Sequence, residues 1–193
     1  RKPQQSIPVV GIASKQYESD TVKLSMTITE LSDLGDLPGG RRRLYESSQE
    51  LIAFLTERGV KRDQISIIPP NVYERYGQSG VEGYRLEQEI YVITKDVDTI
   101  DDLALNVIPM LDGNINIYRT QLEYFYSNID DLKKNMVAEA TQNAKERALE
   151  MLKGTDMQLG KLRTLRQGVF QITQPHSTEV SSGGIHDTST KRK

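Results

Sequence analysis

Histidine and cysteine, the residues that most often carry nucleophilic or metal chemistry, are scarce in this 193-residue chain. It has no cysteine, which removes disulfides, thiolate nucleophiles and cysteine-bound zinc. Its two histidines, His176 and His186, both lie in a polar C-terminal stretch. A Ser-His-Asp triad or a multi-histidine metal site would have to be assembled from residues of that stretch. The sequence therefore predicts no catalytic residue, no bound metal and no cofactor.

A glycine-rich segment, residues 35–40, has the outline of a phosphate-binding loop, because it lies between a predicted strand and a predicted helix. Its chemistry does not match that of such a loop. Arg41 occupies the position of the phosphate-binding lysine, and Arg42 that of the magnesium-binding hydroxyl. We therefore interpret the segment as an ordinary loop.

Arg41, Arg42 and Arg43 form a dense basic run at the predicted start of that helix. The positive end of a helix dipole disfavours cations, which argues for a partner carboxylate, phosphate or lipid head group. A solvated arginine cluster is the simpler interpretation. The three arginines are thus one candidate interaction surface, with both interpretations open.

Tyrosines supply the second candidate surface. Strict alternation along a predicted strand at residues 115–126 places Tyr118, Tyr124 and Tyr126 on one face, together with Leu122. Tyrosine combines a large contact area with a polar tip, so such a stripe suits an interface with another subunit or a peptide. Ordinary packing within a sheet explains the same pattern.

Hydrophobic periodicity predicts the elements that must position these residues. Apolar residues at helical spacing between Leu44 and Leu55, followed by Gly59, predict a first helix with a glycine at its C-terminal end. A short helix is predicted at residues 99–111, with Thr99 at its start. Strands are predicted at residues 7–13, 21–29, 65–76, 84–94, 115–126 and 159–173.

The strongest local signal predicts a long helix at residues 129–153, which Gly154 ends. Asp130 and Asp131 suit the positive end of its dipole. Its small side chains would let the helix backbone lie close to a sheet. The apolar stripe consists of Leu132, Met136, Ala140, Ala144, Ala148 and Leu152.

The order of these elements predicts an α+β fold, a mostly antiparallel β-sheet layered with about three helices, the longest at 129–153. Residues 1–173 form the predicted domain. Residues 174–193, rich in Ser, Thr and Gly, are predicted to be a polar flexible loop or tail. The net charge of −2 gives no overall field that would draw the chain onto nucleic acid or an anionic membrane surface. A start at Arg1 is expected if a signal peptide or an N-terminal anchor was removed or left out.

Five weak motifs follow one another in a fixed order. They are Val10-Gly11-Ile12-Ala13, residues 55–68, Gly83-Tyr84-Arg85, the alanine-bearing helix and Leu159-Gly160-Lys161-Leu162. Together they resemble the SIMPL-domain family of bacterial envelope proteins. The resemblance implies an α+β fold, export behind a signal peptide or a single N-terminal anchor, self-association in some members and no established catalytic residue. The family pattern also has a further strand after the variable loop, which we expect beyond Lys193, paired with residues 162–172.

The expected function is therefore that of a non-enzymatic, structural or interaction protein of the periplasm or cell envelope. Its expected partners are a second copy of the chain or an unknown envelope protein. Membrane contact is expected only through an N-terminal anchor. One alternative is a small-ligand or lipid-binding domain, which requires an enclosed apolar cavity. Another is a hydrolase of cell-wall glycan, which requires two facing carboxylates with displaced pKa values.

Overall fold

The computed structural model describes residues 6–108, 111 and 115–193. The chain divides into two compact units. The sheet unit is Ser19–Phe125, and the helix unit is Tyr126–Lys193 together with the N-terminal residues up to Glu18. Within the described residues, none of the helices is long and apolar enough to cross a membrane.

The sheet unit contains one antiparallel sheet of five strands. Its order is β2-β4-β1-β5, and β3 also pairs with β4, so β1 and β4 are its central strands. The predicted α+β class is confirmed. The strands are β1 (Thr21–Asp33), β2 (Ile65–Ile67), β3 (Asn71–Gly77), β4 (Gly80–Thr94) and β5 (Ile117–Phe125).

The core of the sheet unit follows from alternation along β1. Its even-numbered apolar residues from Val22 to Ile28 are completely buried, whereas Lys23, Ser25 and Thr27 between them are half-buried on the opposite face. Leu24 lies opposite Val92 of β4 and Leu122 of β5. An antiparallel sheet with one apolar and one polar face buries the first against helices.

Helix α1 (Leu37–Glu57) covers that apolar face with Leu44, Leu51 and Leu55. It begins earlier than predicted, with Pro38 in its first turn. Gly39 and Gly40 are buried there, and a Cβ on Gly40 would lie 2.6 Å from the Cβ of Ser32. The interpretation of residues 35–40 as a loop is therefore wrong from Leu37 onward, where Gly40 lets α1 and β1 approach closely.

The predicted hairpin at residues 65–94 is confirmed. Pro69 and Pro70 divide its first arm into β2 and β3, and both pieces pair with β4. Proline lacks the backbone N–H that donates hydrogen bonds between strands. The two prolines therefore lie at the break between β2 and β3. The turn between β3 and β4 uses Gly80 with a φ of +116°, a left-handed conformation that suits glycine.

Helix α2 (Val97–Asp102) continues as a π-helical turn over Leu103–Val107. The side chain of Asp96 caps it by accepting a hydrogen bond from the Thr99 N–H at 3.4 Å. The predicted start at Thr99 is therefore wrong, because Asp96 is the residue whose carboxylate reaches the first turn. The end of the predicted helix, at residues 109–111, lies mostly outside the described residues.

The helix unit is built on α3 (Ile129–Leu152), the longest helix, as predicted. An extended N-terminal segment packs against alanines of this helix. A Cβ on Gly11 would lie 1.9 Å from the carbonyl oxygen of Ala140 and 2.8 Å from the Cβ of Ala144. The neighbour at these two alanines is thus extended chain, where the sequence predicted a sheet.

Residues 7–13 form no strand, so that prediction is wrong. Their backbone bonds to side chains of α3. The Ile12 N–H donates to Asn143 Oδ1 at 3.1 Å, and Arg147 donates to the carbonyl oxygen of Val10 at 2.7 Å. A segment held in this way can be extended without entering a ladder.

The predicted strand at residues 159–173 is also mostly wrong. Only β6 (Gln171–Ile172) is a strand, and it pairs in parallel with β7 (Ile185–His186). Residues 159–170 have no strand partner within the described part of the chain. The predicted polar tail, residues 174–193, contains β7, and Lys193 exchanges two backbone hydrogen bonds with Tyr17.

Candidate interaction surfaces

Arg43 of α1 has two carboxylate partners. Its side chain donates to Glu30 at 2.7 Å, to Asp36 at 3.1 Å and to the carbonyl oxygen of Leu31 at 3.1 Å. The hydrogen bonds to Glu30 and then Asp36 raise the pKa of the guanidinium. Arg43 therefore ties the start of α1 to the end of β1.

Arg41 and Arg42 are exposed on α1, and neither has a hydrogen bond or an ion pair among the described residues. The predicted basic cluster is thus divided. One arginine contributes to the fold of the sheet unit, and two remain available to solvent or to a partner.

Tyr124 is part of the core rather than of a surface. It is 7% exposed, lies opposite Val22 and donates a hydrogen bond from its phenol to Asp101 at 2.7 Å. A buried tyrosine needs such a partner for its hydroxyl. As a result, β5 is linked to α2 through one polar contact.

The prediction of a single tyrosine stripe on β5 is wrong. The register shifts between Thr27 and Ile28, so that Arg119 pairs with Thr27 and Ile117 with Ile28. Tyr118 is the extra residue of this bulge and is 67% exposed. A bulge reverses the alternation beyond it, which separates Tyr118 from the face of Tyr124.

Tyr126 lies just after β5, in the helix unit. Its ring packs against that of Tyr17, with centroids 5.0 Å apart and planes inclined by 42°. Burial, and then the neighbouring Tyr126, raise the pKa of the Tyr17 phenol. Tyr126 therefore packs against a residue of its own unit.

Strand β3 is a surface that the sequence did not single out. Every residue of Asn71–Gly77 is exposed, and its strand partner among the described residues is β4. Tyr73 is 45% exposed and Tyr76 is 70% exposed. Tyr76 donates a hydrogen bond to Glu74, which raises the pKa of the Tyr76 phenol. The sequence feature that indicated this edge strand was the proline pair just before it, Pro69 and Pro70.

The polar face of the sheet carries a depression of about 140 Å³. It is lined by side chains of β1, β4 and β5, among them Glu89, Glu123 and Lys23. Lys23 lies 3.8 Å from Glu123 and 4.9 Å from the ring centre of Tyr91. Glu123 is therefore paired with a cation.

The two carboxylates of this depression lie on different strands. Glu89 pairs with Thr27 and Glu123 with Lys23, on opposite sides of β1. Two strand spacings and four residues along the strand separate their Cα atoms by roughly 16 Å.

A second depression, of about 450 Å³, lies in the helix unit between the N-terminal segment and α3. Val10 and Met151 line it and are 72% and 59% exposed. It is thus an open surface, unlike the enclosed cavity that a small apolar ligand requires. The described residues contain no group of three or more histidine, aspartate and glutamate side chains placed to hold a metal ion.

Taken together, the described chain is an α+β protein whose exposed features are strand edges and unpaired charges. A family model with the description "Protein of unknown function (DUF541)", SIMPL, matches residues 7–187. The chain belongs to the SIMPL family. No curated protein matches it.

Proposed function

We propose that this chain is a non-enzymatic protein of the cell envelope that associates with a second copy of itself through β3. The observation that carries the proposal is the exposure of all seven residues of β3, whose outer edge has no strand partner among the described residues. Such an edge presents a row of backbone donors and acceptors and is a template for another strand. Main-chain hydrogen bonds supply the affinity in this mode of binding.

The side chains of β3 favour one register of self-pairing. In a two-fold antiparallel pair, the residue at the centre lies opposite its own copy. A centre at Glu74 or Arg75 would oppose like charges, which destabilises a cross-strand pair. A centre at Tyr73 places the two Tyr73 rings together and Glu74 opposite Val72. The proposed dimer uses this register.

Location in the envelope, behind a signal peptide or an N-terminal anchor, is supported by membership of the SIMPL family. Fractionation of cells that express the natural gene tests it. The protein should be recovered outside the cytoplasm. Recovery in the cytoplasmic fraction would contradict this part of the proposal.

The solution mass of the purified chain tests self-association. Light scattering should give a defined oligomer for the natural sequence, and Tyr73→Ser with Tyr76→Ser should shift the mass towards the monomer, because tyrosines carry much of the energy of such interfaces. Tyr45→Ser is the matched control, since Tyr45 is 64% exposed on α1. A natural chain that is monomeric, or a control that dissociates equally, would refute the role of β3.

A further inference from the structure

A stretch of the helix unit, residues 157–169, is entirely exposed. We call it the basic segment. It contains Lys161, Arg163 and Arg166, and no acidic residue occurs between Asp156 and Glu179. Because the whole chain has a net charge of −2, the rest of it is net negative and the basic segment is a local concentration of positive charge.

The three cations of this segment contribute no polar contact to the described part of the fold. None of them has an ion pair or a hydrogen bond with any other described residue. Arg43, by contrast, binds two carboxylates and a carbonyl oxygen. Charges that stabilise nothing inside the molecule are suited to bind an anionic partner.

Apolar side chains are interleaved with these cations. Leu162 is 75% exposed, Leu165 is 59% exposed and Val169 is 52% exposed. A polyanion in water would offer nothing to these side chains. The surface of an anionic bilayer offers both partners, because head groups attract the cations while the acyl boundary receives the apolar side chains.

We propose that the basic segment binds the surface of anionic lipid membranes. The cations contact phosphate-bearing head groups, and Leu162 and Leu165 enter the boundary between head groups and acyl chains. This contact is peripheral and is independent of the proposed pairing through β3. It also departs from the sequence-based expectation that the membrane is reached only through an N-terminal anchor.

Co-sedimentation with vesicles tests this. The purified chain should bind vesicles of phosphatidylcholine with 30% phosphatidylglycerol, and binding should weaken as sodium chloride rises. The variant Lys161→Gln, Arg163→Gln, Arg166→Gln should lose about 100-fold in affinity, which corresponds to roughly 1 kcal/mol for each charge at the surface. The matched control removes the same charge elsewhere, with Lys15→Gln, Lys95→Gln and Lys145→Gln, all exposed lysines outside the basic segment, and should bind as the natural chain does.

A second variant separates lipid from other anionic partners. Leu162→Ser with Leu165→Ser keeps all three cations and should lose affinity for the vesicles. Full binding by this variant would show recognition of charge alone and overturn the lipid proposal. Equal loss in the control triple variant, or no binding by the natural chain, would overturn it as well. If a second copy instead contributes a strand that pairs with the basic segment, the leucine variant should lose the oligomer and the natural chain should not bind vesicles. That result also contradicts the proposal.

Discussion

Similar apolar residues are buried in the sheet unit and exposed in the helix unit. Leu24 of β1 is completely buried between paired strands, whereas Leu162 of the helix unit is 75% exposed in chain that has no strand partner among the described residues. Both lie in stretches whose composition predicts a strand. A periodic pattern therefore indicates which residues could pair, while burial depends on a neighbour that the pattern does not name.

The largest expected effect compares a leucine from each unit. Leu24→Ala should lower the free energy of unfolding by about 2–5 kcal/mol, because the cavity opens in a core flanked by two strands. Leu165→Ala should change it by less than about 0.5 kcal/mol, since that side chain is 59% exposed. Urea denaturation measures both. Similar losses would show that the basic segment is buried in solution.

Gly11 tests the contact that organises the helix unit. Gly11→Ala puts a Cβ where the Ala140 carbonyl oxygen and the Ala144 Cβ already lie, so we expect a loss of about 1–3 kcal/mol and detachment of the segment from α3. Ala144→Leu should have a similar effect. Faster amide hydrogen exchange at Ile12 reports detachment.

Gly160 provides the control for that experiment, because a Cβ there would meet nothing within 4 Å. Gly160→Ala should leave the exchange at Ile12 unchanged. Unchanged exchange at Ile12 in Gly11→Ala as well would contradict the packing of the N-terminal segment on α3.

A smaller effect is expected from two tyrosine hydroxyls of β5. Tyr124→Phe removes the hydrogen bond to Asp101 inside the sheet unit and should cost about 1–2 kcal/mol. Tyr118→Phe, at the exposed bulge, should cost less than about 0.5 kcal/mol. Thermal melting distinguishes them. Equal costs would mean that the bulge does not separate the two residues as the register indicates.

Much of the fold could be predicted from local patterns. Alternation in β1 and the apolar stripe of α3 were sufficient, since one period specifies each element. The break between β2 and β3 follows from Pro69 and Pro70. Residues 7–13 and 159–170 could not be placed, because a strand also needs a partner, and no local signal shows whether the partner is present.

The candidate surfaces were harder to predict. The position of the three arginines left a carboxylate, a phosphate, a lipid head group or solvent open as the partner. Glu30 lies 13 residues from Arg43 along the chain and meets it only after β1 and α1 pack. The prediction of a tyrosine stripe was wrong because one residue, Tyr118, is inserted at a bulge, and alternation along the sequence does not reveal such an insertion. A bulge is set by the pairing of two strands, so it is not visible in either one alone.

Self-pairing through β3 is the central claim, and a single-cysteine variant tests it most directly because the chain has no cysteine of its own. Residues opposite each other in antiparallel strands have Cα atoms about 4.5–5.5 Å apart, within the range that a disulfide spans. Under mild oxidation, Tyr73→Cys should form a covalent dimer quickly, whereas Tyr45→Cys on α1 should not. Cross-linking of Tyr73→Cys that is no faster than that of Tyr45→Cys would contradict pairing at this edge.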